Sequence, residues 1–129
     1  MKHMTNIEIR IARHFWSRAI GLLGRRTLGE QQGLLITPCD SVHTFFMRWP
    51  IDVVFIDRAG MITRIVKRLR PWRCAAARAH ACLELSAGNA AALGLQVGLC
   101  LPELAHPPGD TVQLDVAAAI AAQRASRAP

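Results

Sequence analysis

The sequence predicts a mainly β (α+β) protein, a compact β-sandwich or barrel-like single domain with short helices packed on the sheet. Three observations predict it. Short runs of β-branched and aromatic residues recur between glycine, proline and aspartate turn signals, at a spacing that gives roughly seven strands. Asp52–Asp57 is apolar between its two aspartates, with Val53 and Phe55 on one face and Val54 and Ile56 on the other, as in a strand covered on both sides. Helical periodicity is confined to two short stretches, Trp16–Leu23 and Gly88–Leu93.

Taken in order, Ile7, Ile9 and Ile11 alternate with Asn6, Glu8 and Arg10, which is a strand with one buried face. From Phe15 the period changes: Trp16, Ala19, Ile20 and Leu23 recur at helical intervals, and Gly24 is placed to close the helix in the left-handed conformation. Arg25–Gln32 is a polar loop, and Gly33–Thr37 is a short apolar strand ended by Pro38. Val42–Trp49 reads as one strand that Pro50 terminates by removing a donor. Asp52–Asp57 follows at once and is expected to be central. Asp57-Arg58-Ala59-Gly60 has turn chemistry, and Met61–Leu69 returns as the antiparallel partner.

Pro71-Trp72-Arg73 then interrupts that strand, because proline forces the preceding residue extended and donates nothing to a ladder. Cys74–Ala81 is alanine-rich and ambiguous. His80–Ser86 forms another strand, with Leu83 and Leu85 on one face and Cys82 and Glu84 on the other. Gly88–Leu93 is a short helix stopped by Gly94. Leu95–Leu101 and Thr111–Val116 are strand candidates separated by a loop through Pro102, Pro107 and Pro108. The alanine-rich tail, residues 117–129, has helical propensity but little to bury. It is expected to fray or be disordered, leaving 1–116 as a single β-rich domain.

A chain of 129 residues has room for one real core, and no apolar run approaches the roughly 18 residues of a membrane-spanning helix. Its start, MKHMTNIEIRIAR, lacks the apolar stretch of a signal peptide, so the chain reads as cytoplasmic unless a leader has been removed. Cys39, Cys74, Cys82 and Cys100 make no CxxC pair and no zinc spacing, and are expected to be reduced, mostly buried small hydrophobes. Cys39, His43 and Met47 recur every fourth residue and would suit copper, but on a strand such neighbours stand about 13 Å apart. No metal or other cofactor is therefore expected. Seven of the basic residues behind the net charge of +7 lie in Arg58–Arg78, with no acidic residue between Asp57 and Glu84. Such a run attracts phosphates, yet no nucleic-acid-binding signature accompanies it, and a solvated strand and loop is the expectation.

Within the Val42–Trp49 run, alternation places His43, Phe45, Met47 and Trp49 on one face and Val42, Thr44, Phe46 and Arg48 on the other. An imidazole and a guanidinium thus sit among large apolar groups, with Asp52 starting the next strand. Arg48 and Asp52 either satisfy each other as buried polar groups, or join Glu84 at the charged edge of a pocket walled by Phe46, Met47 and Trp49. The candidate ligand-binding residues are His43, Phe46, Met47, Arg48, Trp49, Asp52 and Glu84.

The ordered set WSRAIGLLGR at Trp16–Arg25, GLLITPCDSVHTFFMRWPIDVVFID at Gly33–Asp57, PWR at Pro71–Arg73 and LELSAG at Leu83–Gly88 resembles the family catalogued as domain of unknown function 192, over about residues 5–116. The resemblance implies a compact β-rich domain and no known reaction, substrate or cofactor. Met47, Arg48, Pro50 and Asp52 fall on one of its segments, and Glu84 and Gly88 on another. Gly98 is followed by Leu99 where members often carry aspartate, and Phe46 stands where many have tryptophan.

Two functions of different class follow. The first is a binding module for a small molecule, or for a peptide or protein partner, recognised by the aromatic wall and its charged edge. The alternative is a hydrolase in which Asp52 and Glu84 act as paired carboxylates, or His43 as base. No nucleophile elbow and no phosphate loop favours the enzyme.

Overall fold

The computed structural model describes residues 5–13, 31–43 and 49–127. Alternation decides the first element: Ile7 and Ile9 are buried while Asn6 and Arg10 are exposed, and Asn6–Ala12 is strand β1. Seven more strands follow, β2 (Gln32–Ile36), β3 (Ser41–His43), β4 (Ile51–Ile56), β5 (Ile62–Leu69), β6 (Cys74–Ala76), β7 (Ala81–Ser86) and β8 (Thr111–Asp115). Six of them form one mixed sheet in the order β5-β4-β7-β2-β1-β8, and β3 pairs with β6 in a second, two-stranded sheet. Only β1 and β2 run parallel; the other neighbours in the large sheet are antiparallel.

The unbroken apolar run reads as predicted, since every residue of β4 is buried. It is an interior strand, although the middle of the sheet is β7 beside β2. One face packs Ile7, Ile9, Leu35, Val54, Ile56, Leu83 and Leu85 against leucines of the segment after β7. The other sets Ile51, Val53, Phe55 and Cys82 against Ala75 of the small sheet. The turn between β4 and β5 is built by Asp57, whose Oδ1 accepts from the backbone N–H of Ala59 and of Met61, both at 2.9 Å. Gly60 turns there at φ 90, and a Cβ on it would stand 2.6 Å from the Leu101 carbonyl oxygen, so no other residue fits.

Helix α1 (Asn89–Ala92) matches the predicted short helix, with Gly94 at φ 76 beyond it. Two expectations need correction, and two others lie wholly or partly outside the described residues. Leu95–Leu101 is not a strand: Gly98 turns at φ 94, and Leu95, Leu99 and Leu101 are buried as plugs under the sheet rather than as one strand face. Their spacing imitates alternation because each must reach the same core. The tail from Val116 is not frayed: Val116–Arg127 is helix α2, begun by Asp115 accepting from the Ala118 N–H at 3.0 Å. Gln123 then ties it down, accepting from the Cys100 N–H and donating to the Gly98 carbonyl, both at 2.9 Å. The helix expected at Trp16–Leu23 lies outside the described residues, as does 44–48 of the strand expected over Val42–Trp49, of which β3 covers the first part.

Candidate functional site

Two carboxylates lie in adjacent strands of the large sheet, and register decides what they do together. Val53 stands opposite Glu84 and Asp52 opposite Leu85. Opposed residues share a face and successive ones alternate, so Glu84 shares the face of Val53, Phe55 and Cys82, whereas Asp52 shares that of Val54 and Leu85. The two acids point to opposite sides of the sheet.

Asp52 is fully buried and fully employed. Its Oδ1 accepts from the Arg68 N–H at 2.9 Å, and its Oδ2 from the N–H of Gly88 at 3.0 Å and of Ala90 at 2.9 Å. The pairing of β4 with β5 slips between Ile51 and Val53, and Arg68 takes a left-handed φ of 54 where the chain bulges. A carboxylate opposite this bulge satisfies the donor that the ladder loses, and holds the first turn of α1 with its second oxygen. Asp52 is therefore a scaffold for the β7–α1 corner, where Gly88 turns at φ 93.

Glu84 is its opposite. It is also fully buried, yet neither carboxyl oxygen has a hydrogen-bond partner among the described residues. Val53 on β4 and Leu34 on β2 flank it across the sheet. Burial away from water pushes its carboxyl up to about 8, with the nearby Cys39 adding to the effect. Cys82 lies two residues along the same face, its thiol 3.5 Å from the Cys39 carbonyl, and the Cys39 thiol donates to the Ser41 carbonyl at 3.0 Å. Contact with the Cys39 side chain, then burial, hold the Cys82 thiol well above the usual range. The carboxyl of Glu84, pushed toward its protonated form, thus lies with two cysteine side chains between the large sheet and the small one.

Of the other residues singled out from sequence, His43 closes β3 opposite Cys74, and Trp49 is 45% exposed just before β4. Phe46, Met47 and Arg48 lie outside the described residues. Sequence reasoning treated the cysteines as inert fillers and missed the Cys39–Cys82 contact, for which only the shared face of Cys82 and Glu84 gave a signal. It also passed over Trp72 as a strand breaker; the residue is 57% exposed and holds a left-handed φ of 63. Among the described residues no cluster of three or more His, Cys, Asp or Glu is arranged to hold a metal ion, and no helix is long and apolar enough to cross a membrane.

Both acids, the bulge and the β7–α1 corner fall in the part of the chain that known proteins share. A family model described as Uncharacterized ACR, domain of unknown function 192, matches residues 1–102. The chain belongs to that family. A UPF0127 protein of Pyrococcus horikoshii is 34% identical over 79 residues, covering 57% of this chain and 66% of its own length. The chain thus spans just under two thirds of that curated relative. A crystal structure of a protein of unknown function from Novosphingobium aromaticivorans is similar at 26% identity and a TM-score of 0.61, with 70% of each chain covered. Another, from Sinorhizobium meliloti and assigned provisionally to transcription regulation, aligns at 21% identity and a TM-score of 0.63 over 76% of this chain and 92% of that one. At that identity the likeness concerns the fold alone.

Proposed function

We propose that the protein is a binding module whose site is centred on Glu84, on the sheet face that the small sheet covers. One observation carries this reading: a carboxyl at the middle of the sheet is withdrawn from water and given no partner among the described residues. Leaving such a group unsatisfied costs about 1–3 kcal/mol, and a leucine would avoid the cost, so its presence calls for a reason other than stability. Residues 44–50 join β3, which belongs to the covering layer, to β4, which belongs to the large sheet beneath. On this reading Phe46, Met47 and Trp49 supply the apolar wall, His43 and Arg48 its polar edge, and Asp52 the rigid corner behind it. The occupant is a small molecule or a segment of peptide or protein, and the basic residues around β5 belong to a solvated face rather than to a nucleic-acid interface. The paired-carboxylate form of the hydrolase alternative loses its support, because acids on opposite faces of one sheet cannot act on one substrate.

Replacing Glu84 by Leu tests the proposal. If Glu84 is kept for a ligand, the variant unfolds in urea at the same or a higher denaturant concentration, because an unsatisfied polar group has been exchanged for an apolar one of similar size. A loss of more than about 2 kcal/mol would show that the acid serves the fold, and would remove the site.

A further inference from the structure

Glu84 also constrains what the site receives, an inference that rests on the binding-module reading. The carboxyl lies between Val53 and Leu34, and no cation among the described residues stands beside it on β4, β7 or β2. Arg64, on the same face two strands away, is committed to the Ala76 carbonyl. The groups that do face Glu84 are the Cys82 thiol on its own strand and Cys39 on the connection between β2 and β3, and neither carries positive charge. An isolated ion is too costly to keep in such surroundings, so the acid is held neutral. A neutral carboxyl presents an O–H donor and a carbonyl acceptor side by side.

We propose that Glu84 receives an uncharged primary amide, such as the side-chain amide of an asparagine or glutamine in a peptide, paired through two hydrogen bonds. The amide carbonyl accepts the Glu84 O–H, and the amide N–H donates to the Glu84 carbonyl oxygen. Other common groups leave something unpaired. A carboxylate accepts the O–H but has no proton to return. An ammonium donates but offers no acceptor, and requires Glu84 to ionise in an apolar wall with seven basic residues in the nearby Arg58–Arg78 segment opposing the approach of a second cation. An amide satisfies both oxygens without moving charge into the sheet.

The test uses three probes of one shape, isovaleramide, isovalerate and isoamylamine, added to the full chain carrying carbon-13 glutamate, with the Glu84 carboxyl resonance followed through a pH titration. The expected result is that isovaleramide shifts that resonance near neutral pH and leaves its titration midpoint unchanged or higher. Its affinity should fall roughly tenfold or more in Glu84→Leu, the loss expected when two buried hydrogen bonds disappear. If isoamylamine binds instead and draws the midpoint down into the ordinary carboxylate range, the site stands but the amide assignment is overturned. If isovalerate alone binds, the assignment fails in the same way. If none of the three moves the Glu84 resonance at millimolar concentration while the chain stays folded, the binding reading itself fails.

Discussion

Replacing Glu84 by Gln separates the charge of this side chain from its shape. In the folded chain the carboxyl titrates near about 8 rather than at the ordinary 4.5, because burial penalises its ionised form and Cys39 reinforces the penalty. The folded state therefore keeps a proton that the unfolded chain releases between those two values. The sign follows from proton linkage: stability from this group is intact in acid, falls as pH rises through the window, and levels off above it. The slope is about 1.4 kcal/mol per pH unit, so between about pH 5 and about pH 8 the wild-type chain should lose roughly 3 to 4 kcal/mol, a sizeable part of the 5–15 kcal/mol a domain commonly has. Glutamine fills the same space and does not titrate. Urea unfolding of both proteins across that range, at one ionic strength, gives the contribution of Glu84 as the difference, since the thiols of Cys39 and Cys82 are present in both. A flat difference, within about 0.5 kcal/mol, would mean that Glu84 reaches water or a partner in solution. A difference that grows with the opposite sign would place a cation against it, and either result would refute the reasoning.

Asp52→Ala strands three backbone donors at once, those of Arg68, Gly88 and Ala90, and should cost about 3 kcal/mol or more in urea unfolding, with the Gly88 and Ala90 amides exchanging faster. Gly60→Ala forces a side chain against the Leu101 carbonyl in a left-handed turn, and a drop in melting temperature equivalent to about 2 kcal/mol or more is expected from calorimetry. Binding of DNA or RNA, read by fluorescence anisotropy, should be weak at low salt and absent at physiological salt, where exposed charges are screened within about 8 Å; tight, sequence-dependent binding at that salt would assign the Arg58–Arg78 segment a role that its exposure alone does not.

Much of this architecture was legible because one physical signal dominated each element. Ile7 and Ile9 announce β1 by alternation, the continuous apolar run of β4 announces a strand covered twice, and the aspartate and glycine before Met61 announce the hairpin. The separation of Leu83 and Leu85 from Cys82 and Glu84 was readable for the same reason, but it suggested a charged edge where the structure has a fully buried acid. Leu95–Leu101 misled because leucines plugging a core from a loop are spaced like leucines on a strand. The helix Val116–Arg127 was hidden because its anchorage comes from one glutamine bonding to a loop that is distant in sequence. Asp52 and Glu84 looked alike in the sequence; the pairing of β4 with β7 puts them on opposite faces, where Asp52 is saturated and Glu84 has no partner among the described residues. No local pattern encodes that difference, since it depends on which backbone donors three separate segments bring to one point.

The place of β5 gives the basic segment a meaning that composition could not. This strand has a neighbour in the large sheet on one side only, and its outer backbone groups are what a strand from another molecule would seek. At its start the offer is withdrawn, because the Ile62 N–H donates to the Leu99 carbonyl and the Ile62 carbonyl accepts from Gly98, both at 2.9 Å. Further along, Arg64, Lys67 and Arg68 are exposed, and the left-handed backbone at Arg68 breaks the regular spacing of donors. Two molecules meeting edge to edge would bring like charges together on mismatched ladders. Exposed charge on an edge strand opposes such pairing, so a chain with valine in place of Arg64 and Lys67 is expected to remain folded when dilute yet self-associate as it is concentrated, as sedimentation or light scattering would show.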